Sequence, residues 1–272
     1  MSLREAEKRL KLRKVLGGLR RMYGRVSGGP RPGRRGAGLD TLVEAMLAQN
    51  TNMVNATRGY RMLRRRFASW TAVMNAPMRE VQREIAICGL ARMRARRLQA
   101  LLRTIKLRRG GLSIDFLADR TVEGGFEFLT GFFGIGPKTA AFTLLFAFGH
   151  AVLPVDNGVL RVARRLGLVR GKARDLEAQR VLSPLIARGA HYGMHVLMFR
   201  HAKERCRARN PKCAGCELLT MCPHGRRVVR HRVVEVEMKR RAVRMARFIS
   251  AGIGKYLEEG SELKRPSPLP SP

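Results

Sequence analysis

Four cysteines, Cys206, Cys213, Cys216 and Cys222, fall within 17 residues in the order C-x6-C-x2-C-x5-C. Thiolates this close in sequence can hold a tetrahedral zinc ion or an iron–sulfur cube. Structural zinc usually takes two close pairs, and only Cys213 and Cys216 form one here. The six-residue loop after Cys206 carries Arg207, Arg209 and Lys212. Pinned by a metal, it would make a clamp for phosphate. A fifth cysteine, Cys88, ends the apolar run Ile85-Ala86-Ile87 and reads as a core residue. An odd total with this clustering argues against a secreted disulfide scaffold and for a metal site in a reducing compartment.

A second group of reactive residues starts at Phe132-Phe133-Gly134-Ile135-Gly136-Pro137-Lys138-Thr139-Ala140. Glycine permits positive φ and lets a backbone approach another molecule closely. Ile135 can plug such a turn into the core, and Pro137 suits the first position of a following helix. The free N–H groups at that helix start, around Lys138 and Thr139, are an anion site. The same residues also fit a plain tight turn. At Lys138 the positive helix end and partial burial would lower the pKa, and a neutral amine can attack an electrophilic carbon to give a Schiff base. Position alone puts phosphate binding first. Asp156 follows eighteen residues later in Leu153-Pro154-Val155-Asp156-Asn157-Gly158. Its simplest role is a helix N-cap. A ten-residue helix and a return loop could still bring it into one cleft with Lys138.

The elements that must position these groups are almost all helical. Apolar periodicity predicts helices over 3–23, from Asp40 or Thr41 to Leu47, 53–67, 77–88, 92–107, 113–118, 123–132, 138–148, 157–166, 174–188 and 190–204. Pro77 fits a first helical turn. Residues 27–38 read as a linker, 233–236 as a short strand, and the final PSPLPSP as a disordered tail. The expected class is all-α. His191, His195 and His201 fall on one helix at spacings that favour packing or phosphate contact over metal ligation.

Charge names the partner class. The chain has 272 residues, 45% of them hydrophobic, and a formal net charge of +35. Residues 1–35 carry 12 basic and two acidic side chains, 226–272 carry 12 and five, and 36–225 still carry 31 and 13. The folded part is therefore basic in itself. That excludes an ordinary enzyme of neutral metabolites as the default and favours nucleic acid over an anionic membrane surface. No apolar run approaches the roughly 20 residues that span a bilayer. The N-terminus lacks an apolar signal core, and Glu5 and Glu7 argue against a transit peptide. A cytoplasmic, nucleoid-associated monomer is expected.

The helix-turn-helix context of G-I-G resembles the helix-hairpin-helix of the DNA-repair glycosylase superfamily that includes endonuclease III. There the hairpin grips DNA backbone phosphates. G-I-G-P-K-T-A, followed by V-D eighteen residues past the lysine, is similar to the bifunctional branch of that family, and C-x6-C-x2-C-x5-C with Arg-Asn-Pro-Lys before Cys213 and Pro223 after Cys222 resembles its iron–sulfur loop. The resemblance covers 42–223 and implies two helical domains. These are a six-helix barrel with the hairpin (40–155) and a cluster domain (156–223) joined by the first helix (1–39), with a cleft between them and a basic extension at 224–272. It implies a [4Fe-4S] cluster on the four cysteines, with Lys138 as nucleophile and Asp156 as its essential partner. Gly134, Ile135, Gly136 and Thr139 would contact duplex DNA bearing a damaged base or abasic site. Gln49, otherwise a helix cap, resembles the residue that fills the gap left by an extruded base, and Gly89–Arg96 resembles a family loop near DNA. Asn157-Gly158 departs from the family's usual Thr-His. The expected activity is base release, of oxidised pyrimidines, with β-elimination. The alternatives are a monofunctional glycosylase of the same fold, acting on alkylated or mismatched bases, and a non-catalytic DNA-binding module.

Overall fold

The structure is a computed structural model that describes residues 3–27, 29–30 and 36–262. Its helices are α1 (Leu3–Tyr23), α2 (Ala37–Leu47), α3 (Met53–Arg66), α4 (Trp70–Asn75), α5 (Met78–Glu84), α6 (Ala91–Arg109), α7 (Val122–Thr130), α8 (Pro137–Phe148), α9 (Asn157–Arg165), α10 (Asp175–Leu182), α11 (His191–Glu204) and α12 (Pro223–Glu262). Single 3-10 turns lie at Ala86–Cys88, Asp115–Asp119, Ser183–Leu185 and Leu219–Met221. No strand occurs among the described residues, so the all-α class holds.

Local chemistry sets the helix starts. Asn52, Ser69, Thr121 and Asp156 each stand in extended backbone, with a side-chain oxygen accepting the N–H three residues on. Such caps contribute about 1 kcal/mol each. α2 starts earlier than expected, at Ala37 behind Gly36, and leaves Asp40 in its first turn to accept the Trp70 indole N–H at 3.0 Å. Pro77 is the N-cap of α5 and stands just ahead of the first turn.

Two hydrophobic cores form. The first runs from Leu39 to Val152 and takes in the buried faces of α2 through α8. The second joins Leu12, Val15, Leu16 and Leu19 of α1 to residues between Leu153 and Leu218. α1 is thus covered by elements more than 130 residues away in sequence. α8 links the two cores. It packs on α2 and α7, touches α10 and α11, and is buried on nearly every side from Thr139 to Phe148. A helix apolar all round needs neighbours all round, and each fully buried leucine such as Leu144 contributes about 2 kcal/mol.

Met1–Pro223 forms one compact unit and His224–Pro272 another. In the second, α12 continues straight through 233–236, so the expected strand is a helix. The β-branched residues there are exposed, and the i,i+4 pairs Glu235–Lys239 (2.9 Å) and Glu237–Arg241 (3.9 Å) suit helical spacing. The tail expected to be disordered, and part of the 27–38 linker, lie outside the described residues.

Candidate active site and cysteine loop

The hairpin between α7 and α8 is pinned by Ile135, which is buried and whose N–H donates to the Phe132 carbonyl at 3.1 Å. Gly134 has φ +83°, where a side chain would be strained. Gly136 has φ −91°, so its use is not conformational. A Cβ built on Gly136 meets no heavy atom within 4 Å, so that backbone stays open to approach. α8 then starts with no side-chain cap and with Pro137 in its first turn.

Lys138 lies in that first turn and is exposed. The partial burial expected for it is not found, because the buried face of α8 begins one residue later, at Thr139. Asp156 is half-buried and caps α9, its Oδ1 accepting the Val159 N–H at 2.7 Å. The departure at Gly158 has a packing reason. A Cβ there would stand 2.9 Å from the Ala202 Cβ and 3.2 Å from Asp156 Oδ1. Any side chain would push α9 off α11 or displace the carboxylate.

The ring of His195 on α11 is buried and feels the charges of both Lys138 and Asp156. Its Nδ1–H donates to the Pro154 carbonyl at 2.9 Å. The ring stands edge-on to Phe146 and Phe142 of α8, with centroids 5.5 and 6.3 Å away, and stacks on Phe199. Burial pushes the imidazole pKa down. The Pro154 carbonyl and then the Asp156 charge oppose that shift, and the Lys138 charge adds to it. Two charges eighteen residues apart in sequence thus bear on one ring.

His191 donates from Nε2 to the Ser183 carbonyl at 2.9 Å, and Nδ1 of His201 stands 3.0 Å from the Tyr23 hydroxyl. All three histidines are buried, so they pack and are not placed to touch phosphate. Burial lowers the pKa of His191 as well, and burial with nearby Arg205 brings that of His201 to about 4.

The Gln49 amide turns inward. Its Nε2 donates to the Gly134 carbonyl at 2.8 Å and to Thr139 Oγ1 at 3.3 Å. The Thr139 side chain is buried, so only its backbone remains for an external contact. The loop bearing Gln49 is held by Arg94, which sequence reasoning named only within the Gly89–Arg96 segment and without this role. Arg94 is 4% exposed. It donates to the carbonyls of Gly89 (2.8 Å), Met46 (3.2 Å), Leu47 (3.0 Å) and Gln49. The signal was available, since Arg94 interrupts the apolar stripe continued by Leu98, Leu101 and Ile105. In the same segment the conformation of Leu90, an exposed leucine at φ +49° beside Gly89, was missed. Nothing local in the sequence announces that conformation.

The four cysteines are all half-buried. Burial pushes the Cys213 thiol up, and the charges of Cys206, Cys222 and Cys216 push it further, so the four sulfurs lie in one neighbourhood. Arg165 of α9 donates to Cys206 Sγ at 3.3 Å and to the Arg207 and Ala208 carbonyls at 2.7 and 3.1 Å, while Arg161 holds the Cys206 and Ala202 carbonyls at 2.9 Å. Cys222 Sγ donates to the Arg165 carbonyl at 3.3 Å. Four thiols with an N–H···S contact are a donor set that suits a soft metal group. Among the described residues no group of three or more His, Cys, Asp or Glu closes on a point that a metal ion would occupy. Arg207, Arg209 and Lys212 are exposed on the loop.

A family model described as the HhH-GPD superfamily base excision DNA repair protein matches residues 43–188. The chain belongs to that superfamily. The HhH-GPD match takes in the hairpin, Lys138 and Asp156 and stops short of the four clustered cysteines. This HhH-GPD chain is 32% identical over 151 residues to endonuclease III of Bacillus subtilis, covering 56% of this chain and 65% of that one. It is also 32% identical over 165 residues to an Arabidopsis thaliana protein, of which it spans 56%. It thus matches a little over half to about two thirds of the length of these relatives. Among solved structures, a non-covalent endonuclease III–DNA complex superposes with a TM-score of 0.68 at 23% identity, over 82% of this chain and 98% of that one. That likeness establishes the fold. Among the described residues no helix is long and apolar enough to cross a membrane.

Proposed function

We propose that this HhH-GPD protein is a DNA glycosylase with AP lyase activity that removes damaged bases, oxidised pyrimidines among them, from double-stranded DNA. The observation that carries this reading is the hairpin itself, an uncapped α8 start with backbone open at Gly136 and with Lys138 exposed in its first turn. The relatives named endonuclease III and the strongly basic folded part support it. The two cores are read as the two domains expected from the sequence, with the everted nucleotide between them and the 224–272 extension adding non-specific DNA affinity.

In this mechanism the hairpin N–H groups hold a backbone phosphate. Nζ of Lys138, once neutral, attacks C1′ of the everted nucleotide. The C1′–N bond breaks, and the base departs with the bonding pair and a proton. The sugar ring opens to a Schiff base on Lys138. Loss of a C2′ proton then expels the 3′ phosphate, completing β-elimination. Asp156 uses Oδ1 for its helix cap. Its second oxygen remains to take the Lys138 proton or to face positive charge on the sugar. Gln49 would leave its hairpin partners to occupy the gap in the stack, with Leu90 exposed on the neighbouring turn. Cys206, Cys213, Cys216 and Cys222 are the residues proposed to hold a [4Fe-4S] cluster, whose iron–thiolate bonds would cross-link the loop when bound. Arg207, Arg209 and Lys212 would then meet phosphates.

Borohydride trapping on duplexes that each carry one lesion tests this. Wild-type protein is expected to form a covalent DNA adduct, and Lys138→Gln none. Base release without an adduct would favour the monofunctional reading, in which Asp156 activates water and Lys138 binds a phosphate. The exposure of Lys138 favours that second reading. DNA binding with neither adduct nor base release on any lesion would leave a non-catalytic module.

A further inference from the structure

The hairpin carries a feature that phosphate binding does not use. Phe132 is 3% exposed and its neighbour Phe133 is 81% exposed. The Phe132 ring packs in the first core while its backbone carbonyl accepts the Ile135 N–H, and Phe133 points outward. Phe133 does not stand alone. The Arg97 guanidinium lies 5.4 Å from its ring centroid. The Arg97 side chain also crosses Gly134, its Cδ 3.5 Å from where a Cβ would stand. Met93 and Arg97 have the i, i+4 spacing of one helix face, and Met93 is 37% exposed, with Leu90 62% exposed on the turn just ahead of α6. A strip therefore runs from Met93 through Arg97 to Phe133 at the hairpin. Met93 and Arg97 also line one recess with Gln49 and Asn50. Single exposed apolar residues need no explanation, but a contiguous strip does.

We propose that Phe133, backed by Arg97, is a stacking platform for an unstacked nucleobase of the DNA held by the hairpin. The proposal rests on the reading of this chain as a DNA-binding repair protein. Three features of the strip select a base as occupant. A ring with a cation against it and most of its surface in water has a face to offer, and every base has a π-face to match. The cation satisfies the ring quadrupole and leaves positive charge beside a polyanion. The strip borders Gln49, the residue proposed to fill the gap in the stack, so unstacked bases would arise beside it. No acidic side chain is paired with Arg97 among the described contacts, which fits an anionic partner.

The test uses the full chain and a labelled duplex carrying one tetrahydrofuran abasic analogue. Fluorescence anisotropy is expected to show binding by Phe133→Ala about tenfold weaker than wild type, in the range for loss of one base–aromatic stack. Its melting temperature should be unchanged, because the ring is exposed. Phe133→Trp should restore binding, and its emission, measured against the wild-type background from Trp70, should be quenched on adding the duplex. Affinity of Phe133→Ala within twofold of wild type, or unquenched emission from Phe133→Trp in a protein that binds, would overturn the platform while leaving the functional reading intact. Failure of the wild-type chain to bind the duplex would overturn both.

Discussion

The two cores of residues 1–223 are built from the same kind of helix but guard their polar groups differently. In the first, the buried polar side chains Arg94, Gln99 and Thr143 all donate to backbone carbonyls. None of these changes charge near neutral pH. In the second, three of the buried polar groups are imidazoles, His191, His195 and His201, beside the amide of Gln179, and the adjoining loop holds four thiols. The first core is thus closed by apolar packing, with donors that stay in one charge state near neutral pH. The second keeps buried imidazoles and adjoins the four thiols proposed to hold a metal group. The difference assigns sensitivities: acid and metal removal should act on the second core, and side-chain truncation on both. The pair proposed to react lies on these elements, Lys138 on the helix that joins the cores and Asp156 at the start of α9.

The largest expected effect tests that pair. Asp156→Asn keeps an N-cap, since Asn caps as well as Asp, yet removes the carboxylate. Single-turnover base release should fall by about 10²–10⁴, with little change in melting temperature. A large drop in stability would make Asp156 a structural part of the second core. Next, Cys213→Ser should loosen the second core selectively if the cysteines hold a structural metal group. Hydrogen exchange should show protection lost in α1, α9 and α11 and kept in α4 and α6. Uniform loss would break the comparison.

Acid follows. His201 is held near pKa 4 in the folded chain, against about 6.5 when unfolded. Between those values the unfolded chain binds the proton and the folded chain does not. The stabilisation is therefore complete above about pH 6.5 and is lost as pH falls toward 4, by roughly 3 kcal/mol for this residue. His191 and His195 shift in the same direction. Urea melts between pH 7.5 and 4.5 should show the fall, and His201→Gln should flatten it. A pH-independent melt would remove the titrating character of the second core. Of similar or smaller size is Arg94→Met, which strips charged donors from four carbonyls of the first core. It should cost about 2–3 kcal/mol by denaturant titration, at any pH from 5 to 8. Smallest is Gln49→Ala, about 1 kcal/mol for the lost bonds to the hairpin.

Most helices were legible because each carries an apolar stripe long enough to show its period. α4 was not, because six residues hold less than two turns. The 233–236 segment misled through its β-branched residues, whose preference is weak where nothing packs on them. At the site, the cysteine spacing, the hairpin glycines and the Lys138–Asp156 interval were all visible. Arg94 was visible only as an oddity on an apolar stripe. The outward turn of Phe133 was hidden, since two adjacent phenylalanines look equally apolar until one of them faces the core.

Residue types, their order and their local periodicity determined the helical class, the donor set of the cysteine loop, the uncapped start of α8 and the basic character of the folded part, because each depends on neighbours within a few turns of chain. Burial depends on what arrives from elsewhere. Whether Lys138 is covered, what surrounds the buried ring of His195, and where Gln49 points were decided by α2, α8 and α11 packing together from distant positions in the sequence. Solvation and long-range electrostatics are properties of that assembly, so only the tertiary structure could supply them.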